Sequence, residues 1–347
     1  MERFDSLNGY RAIAAIGIVM MHVFANANYK LNDNIECIIN SFTQLVYLFM
    51  IISSFSMCCG YYEKIKNNKI TVNEFYKKRF SKILPFFGCL VIINILFERN
   101  IETLIEGFAN FTLMFGFLPV SSLNTIGVGW FLGVVFVFYM IFPFFVFLFD
   151  NKKRAWFVFI LALIFNILCP KYFFTEKFGL INYWARTNFL YDFVYFCLGG
   201  ILYLYRSEIK QIVSKYKIIT VMGMFLITIL YYFIPDGFFT IKTLILFAFW
   251  MLVAIGINNC ALNNKFLKFI STISMEIYLS HMLIFRIVEK LKLTNLFTND
   301  YVSYLFTTVL VITVTILFAK IFKVSFEILI NKINAIRDAR CDILKEK

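Results

Sequence analysis

Long apolar runs dominate this chain, and their length decides what it can fold into. They lie near residues 9–25, 38–61, 83–97, 128–149, 155–170, 188–205, 218–234, 243–258, 269–289 and 301–322. About 20 mostly apolar residues make a helix that crosses roughly 30 Å of hydrocarbon, so each run reads as one membrane span. The stretch 104–120 is apolar but short and interrupted, and it ends in Pro119; it reads as a re-entrant or surface element. Composition agrees. Of the 347 residues, 61% are hydrophobic and 16% charged, against about 45–50% and about 25% in soluble domains. One water-soluble core does not absorb that excess. The expected fold is all-α: a polytopic integral membrane protein with about ten transmembrane helices. No repeat or linker divides the runs, so residues 1–322 are expected to form one membrane domain, followed by a basic cytoplasmic tail at 323–347.

Lysine and arginine set the orientation. With the N-terminus in the cytoplasm, 24 of them fall in inner segments and 8 in outer loops, so both termini are expected in the cytoplasm. This explains the net charge of +13 as topology, and nucleic acid is not needed as a partner. The eight cysteines are scattered through apolar runs without a CxxC pair. They read as small buried hydrophobes rather than disulfides or a metal site. The opening "MERFDSLNGYR", "AIAAIGIVMMHVF", "ANA" resembles a cleavable secretion signal, but Glu2, Asp5 and His22 interrupt that pattern. The first span is expected to stay as an uncleaved anchor in the inner (plasma) membrane.

Polar residues inside the spans point to function. The chain has only two histidines. At about 1.5 Å rise per residue, His22 lies about 20 Å above the start of the first span, and His281 about 18 Å above the start of the ninth. Glu276 falls one and a half turns below His281, and Tyr278 lies at i−3 on nearly the same face. Ionisable groups at such depth are costly and mark functional sites by default, although a neutral histidine bonded to a carbonyl also serves as helix–helix glue. A second cluster lies lower: Arg11 in the first span, with Arg79 and Lys82 at i, i+3 on one face at the mouth of the third. Lys77 and Lys78 read as topology alone. A basic mouth below a histidine suits a long anionic donor whose reactive end is far from its phosphates; acyl-coenzyme A has that shape.

These residues stand in motifs that resemble the membrane-bound acyltransferase family 3. "LNGYRAIAAIGIVMMH" is similar to its opening, in which Arg, ten residues and His mark the first span. "LFMIISSFSM", "YKKRFSKILP", "GWFLGVVFVFYMIFP", "FCLGGIL" and "ISTISMEIYLSH" resemble later family segments, in the family's order. Four positions depart from it. Asn8 stands where Asp is often found, Ser54 where Gly is common, and Lys82 replaces the second arginine of a pair. Val135 and Phe136 replace an acidic pair.

The resemblance implies transfer of an acyl group, most often acetyl, from cytoplasmic acyl-CoA to a hydroxyl of a cell-envelope or lipid-linked glycan. Acetyl-CoA is then a co-substrate rather than a resident cofactor. His22 is the expected general base or nucleophile, with His281 and Glu276 orienting it or binding the acceptor. Arg11, Arg79 and Lys82 would hold the donor phosphates, and Trp130 and Tyr278 would stack on sugar. The outer loops are too short for the soluble domain some members carry, so either this chain acylates the acceptor itself or a separate glycan-synthesis partner does. A proton-coupled transporter or glycan flippase is the competing class, and a non-catalytic membrane subunit the blandest.

Overall fold

The computed structural model describes residues 4–117, 126–178, 183–257 and 261–345. Pro119 and much of the 171–187 loop's middle lie outside these. The described chain is helical throughout, without a strand. In order, the helices are α1 (Ser6–Ala27), α2 (Asp33–Ser41), α3 (Leu45–Met57), α4 (Glu63–Lys66), α5 (Val72–Glu98), α6 (Ile101–Phe111) and α7 (Trp130–Leu148). Then follow α8 (Lys152–Leu168), α9 (Phe189–Leu204), α10 (Arg206–Lys215), α11 (Lys217–Leu230), α12 (Phe239–Gly256), α13 (Lys265–Thr272), α14 (Ser274–Lys290) and α15 (Asp300–Lys345).

Among the described residues, seven helices are long and apolar enough to cross a membrane, or eight if one bent pair counts as a span. The expected run at 218–234 is α11, the second helix of that pair, and α10, in the segment before the run, meets it at 103°. The run at 188–205 is α9, apolar but only 16 residues long. Most of its side chains are buried, so its length is matched to protein neighbours rather than to lipid. The run at 269–289 is two helices, broken at Ile273. Ser271, Thr272 and Ser274 crowd this break, and two of their hydroxyls donate to nearby carbonyls, a local competition that disfavours continuous helix. Helix α15 continues through position 322 without interruption.

The remaining span, Asp33–Lys66, passes from α2 through a 3₁₀ turn into α3, then through a π segment at Cys58–Tyr62 into α4. One extra residue in that π turn rotates Tyr61 and Tyr62 to opposite duties. Tyr62 donates to the Phe149 carbonyl, whereas Tyr61 faces Arg79.

Helix α1 packs against α3, α12, α13, α14 and α15. Its small residues make that possible: Ala12, Ala14 and Ala15 are fully buried, and a Cβ at Gly9 would lie 2.5 Å from the Leu262 carbonyl oxygen. Small residues let helix backbones approach where lipid supplies no hydrophobic drive. The same device joins α3 to α9. A Cβ at Gly199 would lie 2.4 Å from the Ile51 carbonyl oxygen, and Ser54, the residue that departs from the family pattern, donates to the Phe196 carbonyl at 2.6 Å. Apolar side chains such as Phe157 on α8, Phe225 on α11 and Leu305 on α15 face outward, forming the lipid-facing belt.

Candidate active site

Four of the eight sequence-predicted residues line one cavity of about 330 Å³: Arg11, Arg79, Lys82 and Tyr278. They arrive from three helices. Arg11 stands two turns into α1, Arg79 and Lys82 share a face of α5 just before Pro85, and Tyr278 stands on α14. Four serines complete the polar lining: Ser53, Ser56, Ser271 and Ser274. Among the described residues, no carboxylate lines this cavity. Val135 is part of its wall, so the loss of an acid at that position leaves the cavity uniformly cationic.

Each cation is held differently. Arg11 donates from Nη2 to Ser56 Oγ. Arg79 donates from Nη2 to the Tyr61 hydroxyl at 2.6 Å, with its guanidinium 4.5 Å from the Tyr61 ring centre. Its Nε is buried without a partner, a donor left over for a ligand oxygen. Lys82 makes no hydrogen bond among the described residues, and it interacts electrostatically with Arg11 and Arg79. Three like charges converge here, and the carboxylate that interacts with one of them, Glu276 with Lys82, lies outside the lining; this describes an anion site. A second cavity of about 380 Å³ shares Arg11 and Ser56 with the first and opens past Asn8, Cys59 and Lys268. Asn8 accepts a hydrogen bond from Ser271 at 3.1 Å.

At its far end the cavity stops at Tyr278, whose hydroxyl donates to the Val128 carbonyl at 2.9 Å. Behind it lie the two histidines. The His22 and His281 rings are 4.9 Å apart, and Tyr278 is 6.0 Å from His281. The two residues expected at matched depth are thus in contact, despite the break below His281. In both, Nδ1 meets the carbonyl four residues back: Ile18 at 3.0 Å for His22, and Ile277 at 3.3 Å for His281. A carbonyl only accepts, so in the neutral ring Nδ1 carries the proton and Nε2 keeps its lone pair. His281 is fully buried, and its Nε2 has no partner. His22 is only partly buried. Of the two, it is the more exposed residue.

This arrangement supports the identification made by sequence comparison. The family model described as an acyltransferase domain matches residues 4–320. The chain belongs to acyltransferase family 3. No curated protein and no solved structure matches it. With its apolar helices, this acyltransferase is a multi-pass membrane protein, and the cation cavity and histidine pair fall inside the matched region.

Not every expected residue of the acyltransferase joins the cluster. Glu276 interacts electrostatically with Lys82 and Lys323 and makes no contact with either histidine. Five residues turn a helix by about 500°, which aims Glu276 about 140° away from His281. Trp130 stays outside the cavity while its neighbour Phe131 lines it. The Arg186 guanidinium lies 5.4 Å from the Trp130 ring centre and 4.7 Å from that of Trp184. Tyr278 is packed at its edges by Phe49 and Phe131, which makes it a wall.

Sequence reading missed the serines, Tyr61 and Arg186. A serine in an apolar run carries no distinctive signal. Arg186 lies in the sequence between the α8 and α9 runs, where a charge carries no signal of its own, yet it donates to Thr43 and interacts electrostatically with His22 and Tyr278.

Proposed function

We propose that this protein moves an acetyl group from cytoplasmic acetyl-CoA to a hydroxyl of a cell-envelope or lipid-linked glycan. It acts in the inner (plasma) membrane with both termini in the cytoplasm. The observation that carries this reading is the cavity of Arg11, Arg79 and Lys82, which stops at Tyr278, the ring that stands between it and His281.

The cations hold the phosphates of the donor, and its pantetheine arm lies along the cavity toward Tyr278. His22 is the base. Its Nδ1–H is fixed on the Ile18 carbonyl, so Nε2 is the atom that removes the acceptor hydroxyl proton as the oxygen attacks the thioester carbonyl. The C–O bond forms, the C–S bond breaks, and the coenzyme A thiolate leaves and takes up a proton. His281, buried behind, positions His22 through ring contact. Its neutral form suits that task, because a second cation at 4.9 Å would oppose the imidazolium forming on His22. Glu276 pairs with Lys82 at the donor side rather than acting on the acceptor.

The test is mass spectrometry of envelope glycans from a deletion strain carrying either the unaltered chain or His22→Ala at matched membrane levels. An acetyl mass that appears only with the unaltered chain supports the reading. Full acylation by His22→Ala refutes the catalytic assignment. No acyl mass with the unaltered chain moves a glycan flippase ahead.

A further inference from the structure

The end of the bundle opposite the cation cavity carries a vestibule of about 650 Å³ that the chemistry above does not use. It lies where α5, α6 and α14 meet. Four glutamates line it, Glu98, Glu102, Glu106 and Glu289, against Arg286 and Lys290. Carboxylates alone would signify nothing more than a solvated rim. Asn94 supplies the second observation. It is 8% exposed, faces the vestibule, and makes no hydrogen bond among the described residues. Its side chain is nine-tenths buried yet lines the cavity, which leaves the amide available to a ligand there. Arg286 likewise makes no ion pair or hydrogen bond among the described residues, although glutamates surround it.

Asn94 and Arg286 also line a narrow passage of about 30 Å³ that continues inward to Gly127, Val128 and Leu279. Leu279 is at the same time a wall of the cation cavity, and Val128 holds the Tyr278 hydroxyl. One layer of side chains therefore separates the vestibule from the donor cavity, next to the histidine pair.

We infer that this vestibule is the acceptor entrance, and that its ligand is a neutral or amino-bearing sugar. The inference rests on the proposed function and adds where the acceptor binds and what it is. Carboxylates, an amide and a guanidinium are planar groups that hydrogen-bond vicinal hydroxyls in pairs. With four carboxylates against two cations, the lining repels uronic acids and phosphorylated sugars and attracts an ammonium. The sugar lodges on Asn94 and Arg286 and extends one hydroxyl past Leu279.

Gly127 offers a way to test this. A Cβ there meets nothing within 4 Å and Gly127 lines the passage, so Gly127→Leu adds bulk at its wall. Asn94→Leu removes the amide at similar size. Each full-length variant is expressed in the deletion strain, and coenzyme A binding to the purified protein reports that it is folded. Both variants are expected to bind coenzyme A normally while glycan acylation falls by about tenfold or more. The acetyl mass made by the unaltered chain is expected on a sugar without carboxylate or phosphate. Unchanged acylation in both variants overturns the entrance and leaves the proposed function standing. An acetyl mass on a uronic acid or phosphorylated sugar overturns the ligand class. No acyl mass from the unaltered chain overturns the function itself, and the inference with it.

Discussion

The two ends of this bundle carry opposite chemistry. At one, Arg11, Arg79 and Lys82 line a cavity without a carboxylate; at the other, four glutamates outnumber Arg286 and Lys290. The cation cavity stops on α14 at Tyr278 and Leu279, and the vestibule lies about two turns further along the same helix, at Arg286, Glu289 and Lys290. A uniform polar channel would suit a transported solute, which must be welcomed equally from both sides. Opposed linings instead suit two different substrates that meet in the middle. The difference also assigns the ends: a polyanion has a partner only among the cations, and a hydroxyl-rich ligand is best met by mixed planar groups.

The largest expected effect lies at the meeting point. His22→Gln keeps the size of the ring but removes the base, and kcat is expected to fall by about 10²–10⁴-fold while KM for acetyl-CoA stays within a factor of about two. A fall in affinity with kcat preserved would instead make His22 a binding residue. Next comes the polarity of the donor end. Val135→Glu puts a carboxylate on the cavity wall, and KM for acetyl-CoA is expected to rise by about tenfold or more, relieved in Val135→Gln. Equal kinetics in the two variants would remove charge from the account of that end.

Arg79→Lys should have a smaller effect. It keeps the charge but gives up the Tyr61 stack and the free Nε donor, and a rise of about five- to tenfold in KM is expected. The smallest effect involves residues that line neither cavity. Lys66 and Asp150 pair at 2.9 Å, and this hydrogen bond holds the Asp150 carboxyl below the usual range. Its contribution is present above the ordinary aspartate pKa of about 3.9 and is lost as pH falls through the lowered folded value. Asp150→Asn should therefore lower Tm slightly at neutral pH, and the two melting curves should converge in acid. A difference that persists in acid would mean that packing, not the ion pair, is what the substitution removes.

The apolar runs made most of the fold legible, because span length is fixed by bilayer thickness. Direction was not. The break at Ile273 changes the helix path inside one apolar run, so a hydropathy reading joins what the backbone separates, and the 103° angle at which α10 meets α11 is not something hydropathy reports. In the site, Arg11, Arg79, Lys82 and the two histidines were legible because charge at depth is rare. The placement of Glu276 was not legible: proximity along the sequence hid a helix rotation, and the residue interacts with Lys82 and Lys323 instead of a histidine. The vestibule could not be read at all. Asn94, Arg286 and the glutamates come from separate helices, and only packing brings them together.

The central claim is that donor and acceptor enter from opposite ends. It is tested most directly by sidedness in membrane vesicles of known orientation, with endogenous glycan present and acetyl-CoA supplied only outside. Inverted vesicles, which expose the Arg11 end, are expected to release free coenzyme A and to acetylate glycan, whereas right-side-out vesicles are expected to do neither. Equal turnover in both orientations, or turnover only in right-side-out vesicles, would contradict the account.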